Sequence, residues 1–140
     1  MKLLLSMILF FIASSSLVAA DKLKQSELAS DMRTMLKAVN QIQTAGFYYN
    51  KEGMKDGVNK LKNAIGSLTT TDARSYLPEN EAYADKFAQK RAKMITMYAD
   101  DMIVSLNNEN IDDAIEDYSQ IIRQCTSCHS RIRTNAWKLK

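Results

Sequence analysis

The chain has 140 residues, with 19 basic and 16 acidic side chains, and its formal net charge is +3. A net charge this small gives no reason to expect nucleic-acid binding. Four glycines and one proline are few for this length, and such a composition favours long helices over a β-rich fold.

Residues 1–20 have the pattern of a secretory signal peptide. Lys2 supplies a positive charge, an almost wholly apolar run follows at 3–12, and small residues stand at 18–20. The alternative is a membrane anchor, but the apolar run is shorter than the ~20 residues that a spanning helix needs. We therefore expect cleavage after residue 20, export to the periplasm, and a single mature domain at 21–140 without a membrane span.

The mature sequence contains four stretches in which apolar residues recur about every 3.5 residues, as in helices that pack along one stripe. The four stripes are Leu28, Met32, Met35, Val39 and Ile42; Met54, Val58, Leu61, Ile65 and Leu68; Phe87, Met94, Ile95, Tyr98, Met102, Ile103 and Leu106; and Ile111, Ile115, Tyr118, Ile122, Cys125, His129 and Ile132. Predicted connections at 46–53, 69–80 and 107–110 separate them, with Asn80 and Asn110 as helix caps. This pattern predicts an all-α fold, an up-down-up-down antiparallel four-helix bundle.

The fourth stripe contains Cys125-Thr-Ser-Cys128-His129, which is the CxxCH sequence of covalent haem attachment. On a helix, residues three apart share a face, so both thiols can reach one porphyrin while the next residue offers an imidazole to the iron. A thioredoxin-like CxxC needs a βαβ setting, and a structural zinc site needs four ligands. The chain has only two cysteines and one histidine, so haem c is the better interpretation.

The topology predicts which residues surround the haem, because the start of helix 1, the end of helix 2, the start of helix 3 and the end of helix 4 lie at one end. The expected pocket residues are Leu28, Met32, Met35, Leu36, Ile65, Leu68, Leu77, Pro78, Tyr83 and Phe87. Without a second histidine, methionine is the remaining strong sixth ligand. Met32 is the better candidate and Met35 the runner-up; the alternative is that Met32 only packs in the core.

The chain resembles the cytochrome c′ family of four-helix c-type cytochromes, which carry CxxCH near the end of the last helix. Its helix-1 register, with Met32 four residues after Leu28, also resembles the periplasmic b-type bundle cytochrome. In that relative an early methionine and a late histidine ligate the iron, roles that map onto Met32 and His129. The family also tends to have a basic residue four positions after the histidine, here Arg133. The usual helix-1 arginine of cytochrome c′ is replaced by Leu28.

The C-terminal part is basic, with Arg123, Arg131, Arg133, Lys138 and Lys140. Three interpretations are open. Arg131 or Arg133 pairs with a haem propionate, the patch docks an acidic redox partner, or the basic residues simply form a solvated helix end, where cations interact favourably with the helix dipole.

These observations predict a periplasmic monohaem c-type cytochrome that carries single electrons between redox partner proteins. One covalent haem c would be held by Cys125, Cys128, His129 and Met32, and no catalytic set is visible, so we expect no enzyme activity. The alternative is a five-coordinate, cytochrome c′-like protein that binds nitric oxide or carbon monoxide. A third hypothesis is a haem-free exported bundle with a disulfide. The protein would be a monomer or a homodimer.

Overall fold

The computed structural model describes residues 27–70 and 84–132, and 94% of these residues are helical. Helix α1 covers 27–47, α2 Lys51–Thr70, α3 Ala84–Asn107 and α4 Ile111–Ile132. The described ranges contain no strand, and the predicted all-α four-helix bundle is confirmed. The predicted signal peptide, the Asn80 cap and the residues after 132 lie outside the described ranges.

Polar contacts connect each helix to the next one in the chain. Those between α1 and α2 and between α3 and α4 pair early residues with late ones, which makes these neighbours antiparallel. The contacts are Asp31 with Ser67, Gln41 with Gly53, Lys62 with Asp100, and Ser105 with Asp117. Within the described ranges, no helix is both long enough and apolar enough to cross a membrane.

Helix α2 follows its predicted stripe closely. All five predicted apolar positions are buried, and Val58 and Leu61 are completely inaccessible. Gly57 lies on the same side, where α1 and α2 approach so closely that a Cβ atom at this position would stand 2.7 Å from Cγ1 of Ile42 and 3.2 Å from the Ala38 oxygen. The pairing of α1 with α2 therefore depends on the absence of a side chain at residue 57.

Helix α3 buries a different face from the one its large apolar residues suggest. Its buried residues are Ala84, Ala88, Ala92, Ile95, Ala99, Met102 and Leu106. Phe87 and Met94 are only half-buried at the flanks of this face, whereas half-buried Tyr98 packs against the core. The prediction missed the four alanines that form much of the stripe, because small residues carry little hydrophobic signal.

Helix α4 is shifted in the same way in its first half. Ile115, predicted to lie on the packing stripe, is 51% exposed, whereas Ala114 and Ile121 are fully buried. The buried stripe thus runs one residue ahead of the predicted one. A stripe drawn through the largest side chains is wrong here, because Ala114 lies against the core and the larger Ile115 faces solvent.

The connection between α1 and α2 is a three-residue turn, shorter than the predicted 46–53. The N–H of Asn50 donates to the oxygen of Ala45 at 2.9 Å, and the N–H of Tyr49 donates to the oxygen of Gly46 at 3.1 Å. With Tyr49 at a φ of 53°, these contacts form a Schellman motif. Asn50 then caps α2 through its side-chain oxygen, which accepts the N–H of Gly53 at 2.9 Å.

The connection between α3 and α4 repeats the same arrangement. Glu109 has a φ of 60°, and the N–H of Asn110 donates to the oxygen of Ser105 at 2.9 Å. The side-chain oxygen of Asn110 accepts the N–H of Asp113 at 3.3 Å, which confirms the predicted cap. Lys51 and Glu109 form an ion pair of 3.3 Å between the two turns, so both turns lie side by side at one end of the bundle.

We predict opposite stability effects for alanine at two glycines of α2. Gly57→Ala should lower the free energy of unfolding by roughly 1–2 kcal/mol, because the overpacking cost exceeds the gain in helix propensity. Gly66→Ala should raise it by about 0.5–1 kcal/mol, because a Cβ atom there meets no atom within 4 Å. Urea denaturation followed by circular dichroism measures both values, and an increase for both variants would contradict the close α1–α2 contact.

Candidate functional site

An apolar cavity of about 330 Å³ lies at the opposite end of the bundle from the two turns. It is lined by Leu28, Met32, Met35, Leu36, Val39, Ile65, Leu68, Ala88, Arg91, Ala92, Ile95, Ile122, Cys125, Thr126, Cys128, His129 and Ile132. All four helices contribute. Exposed Leu36 on α1 and Thr126 on α4 are among the lining residues, so the cavity opens to solvent between these two helices.

The cavity exists because the facing side chains are too small to fill it. Of the α3 residues that line the cavity, Ala88 and Ala92 are buried and carry only a methyl group each, while Arg91 and Ile95 stand beside them. On α4 the described residues after Ile121 include one buried residue, Gln124, and the apolar Ile122 and Ile132 are half-buried. The volume falls within the roughly 300–1,000 Å³ that is typical of ligand and cofactor sites.

Residues of the predicted haem site lie together in this cavity. Both cysteines and the histidine of the CxxCH sequence line it, and so do Met32 and Met35. Further expected pocket residues that line the cavity are Leu28, Leu36, Ile65 and Leu68. Because α1 and α4 are antiparallel, the start of α1 lies level with the end of α4. The cavity therefore brings together residues that are about one hundred positions apart in the sequence.

Not every expected pocket residue lies there. Phe87 is not among the lining residues; it sits on the flank of α3, where its ring lies beneath two arginines. Leu77, Pro78, Tyr83 and Arg133 lie outside the described residues.

The two cysteines are free thiols and are both half-buried. Burial, together with the neighbouring Cys128, raises the pKa of the Cys125 thiol to about 11. Burial also raises the pKa of Cys128, while the positive charge of Arg91 acts in the opposite direction. Both thiols are therefore protonated at neutral pH.

The two candidate methionines differ in burial. Met35 is 7% exposed and belongs to the core, whereas Met32 is half-buried and packs against it. Both line the cavity that His129 also lines, so α1 offers two thioether groups one helical turn apart to this space.

Arg91 is the main feature of the site that the sequence analysis missed. Its guanidinium lies 4.7 Å from the centre of the Phe87 ring, and its Nη1 donates to the side-chain oxygen of Gln124 at 2.5 Å. Gln124 is 4% exposed and is the one buried polar residue in the described part of the chain. Nothing local in the sequence distinguishes Arg91 from its basic neighbours Lys90 and Lys93.

The residues present fit a covalently attached haem. The site offers two thiols, an imidazole and thioether sulfur, which are the groups that hold haem c, on the walls of a mostly apolar cavity. Nε of Arg91 is buried and has no hydrogen-bond partner among the described residues. The same part of the chain shows no group of three or more histidine, cysteine, aspartate or glutamate side chains arranged to hold a bare metal ion.

Comparisons with known proteins add no assignment: no family model matches the chain, and no match was found among the curated proteins or the solved structures.

We predict that Cys125 is a slow nucleophile in protein produced without haem. At pH 8 the folded Cys128→Ser variant should be alkylated by iodoacetamide much more slowly than the same variant in urea, because the thiolate is scarce. The rate should keep rising about tenfold per pH unit beyond pH 9, because burial raises the pKa of Cys125 even without the neighbouring Cys128. Mass spectrometry of timed samples measures the rate, and a plateau near pH 9 in the folded variant would contradict the raised pKa.

Proposed function

We propose that this protein is a monohaem c-type cytochrome that carries single electrons in the periplasm. The observation that carries the proposal is the meeting of Cys125, Cys128 and His129 with two methionines in one apolar cavity. CxxCH alone occurs by chance in unrelated proteins. Its position on a cavity wall, opposite thioether sulfur, supports the haem interpretation.

In this proposal the two cysteines attach the cofactor. Cys125 and Cys128 would each hold the haem through a thioether, formed by addition of the S–H group across a vinyl group, which would consume no oxidant. Both thiols stand on one face of α4, three residues apart, and both line the cavity. The resulting thioethers would tie the cofactor to α4 permanently.

His129 and a methionine of α1 would complete the coordination of the iron. A neutral imidazole is a strong ligand, and a methionine on the opposite side favours the reduced iron and raises the reduction potential. Met32 remains the proposed ligand, with Met35 as the runner-up. Haem supplies the one-electron iron couple, and the chain contributes anchoring, axial ligands and a largely apolar surrounding.

This ligand set suits an electron carrier rather than an enzyme. If His129 and a methionine both hold the iron, no coordination position would be open for a substrate. The proposed partners are redox proteins of the periplasm, where residues 1–20 would direct the chain. The basic C-terminal residues, Arg133 among them, remain candidates for binding a propionate or an acidic partner.

Covalent attachment is tested by expressing the full chain together with a haem-attachment system. We expect the parent protein to retain haem after denaturation, and the double variant Cys125→Ser/Cys128→Ser to lose it. Ser127→Ala changes the same motif without removing a thiol and should retain haem. Mass spectrometry of the denatured chain measures the attachment. A parent chain that carries no added mass would overturn the proposal.

Axial ligation is tested by optical spectra of the ferric and ferrous protein with and without carbon monoxide. We expect a low-spin parent that does not bind carbon monoxide, and a high-spin, carbon-monoxide-binding Met32→Ala variant. Met94→Ala, which alters a half-buried methionine that does not line the cavity, should behave as the parent does.

The other outcomes of this experiment are equally informative. If Met35→Ala rather than Met32→Ala gives the high-spin form, the ligand is Met35. A parent that is already high-spin and binds carbon monoxide would refute methionine ligation and favour the gas-binding alternative.

A further inference from the structure

Arg91 is held in a fixed position on the cavity wall by two different contacts. The Phe87 ring, one turn earlier on α3, supports the guanidinium through a cation–π contact with a centroid distance of 4.7 Å. From α4, the buried side-chain oxygen of Gln124 accepts a hydrogen bond from Nη1 at 2.5 Å. A long, flexible side chain is thereby restricted to the boundary between α3 and α4.

The positive charge of Arg91 is not neutralised by any carboxylate in the described ranges. The ion pairs found there involve Lys51, Lys55, Lys60 and Lys62, and none involves Arg91. A second cation adds to the positive charge here, because the guanidinium of Arg131 lies 4.8 Å from the centre of the same Phe87 ring. Gln124, which accepts its hydrogen bond, is neutral.

Burial makes this charge effective over a longer distance. Nε of Arg91 is inaccessible to solvent and has no hydrogen-bond partner in the described part of the chain. Because the surrounding walls are apolar, a charge at this position is screened far less than one at the surface. Arg91 also lines the cavity together with Cys128 and His129, so its field acts on whatever the cavity holds.

We propose that the positive charge of Arg91 raises the reduction potential of the iron in the cavity. Reduction removes one positive charge from the iron centre, so a nearby cation that forms no ion pair within the described ranges destabilises the oxidised form more than the reduced form. The inference rests on the proposed function, since it requires haem at CxxCH. It adds a residue on α3 that neither the motif nor the axial ligands indicate.

The test measures the midpoint potential of haem-loaded protein by spectroelectrochemistry. Arg91→Gln should shift the electron-exchange equilibrium at least tenfold toward the oxidised form, which corresponds to about 59 mV for one electron. Lys90→Gln removes the same charge from the neighbouring exposed residue and should shift the potential far less, because solvent screens it. Arg91→Lys retains the charge and should recover much of the parent potential.

A second variant changes the charge without removing Arg91. Gln124→Glu has almost the same shape and places a carboxylate where the amide oxygen now accepts the Arg91 hydrogen bond. The new ion pair would neutralise the guanidinium, so the potential should fall as it does in Arg91→Gln while the ferric and ferrous spectra stay unchanged. This variant keeps the test decisive if Arg91→Gln folds poorly.

The inference is overturned if the midpoint potential shifts no more in Arg91→Gln and Gln124→Glu than it does in Lys90→Gln. Such a result would mean that a carboxylate of the cofactor already neutralises Arg91. Failure of the proposed function looks different, since the parent would then carry no covalent haem and show no one-electron couple at all.

Discussion

The volume left beside Ala88 and Ala92 is the constraint on which the rest of the site depends. Farther along the same face of α3, Met102 and Leu106 are fully buried and fill the space between the helices. Near the start of α3 the corresponding positions carry one methyl group each, and four helices at ordinary separations cannot close over them. The bundle is therefore a filled core at one end and a cavity at the other.

The chemistry of the cavity follows from this uneven filling. On α4 the cysteines and the histidine are half-buried, and they line this space together with Arg91 of α3. The same space allows the Arg91 guanidinium to lie beside thiols and apolar groups, with an amide as its hydrogen-bond partner. The packing at this end, the protonation of the two thiols and the local positive charge thus all follow from the small residues of α3.

How far the sequence predicts the structure depends on residue size. The stripe of α2 was predicted in full, because each of its positions is a large apolar residue at regular spacing. The stripe of α3 was not, since alanines give little hydrophobic signal, and Ile115 was assigned to the core although Ala114 occupies that place. The residues of the CxxCH motif lie on α4 and line the cavity, while their role as a haem site stays a prediction. Arg91 was missed because its partner Gln124 is 33 residues away, and a contact of that kind has no local pattern.

The two turns at 48–50 and 108–110 make one end of the bundle more firmly connected than the other. Each turn is closed by its own backbone hydrogen bonds, each cap starts the next helix, and an ion pair joins the two turns. None of the residues that make these turn contacts lines the cavity. Substitutions at the cavity therefore leave the contacts that join the helices at the opposite end in place.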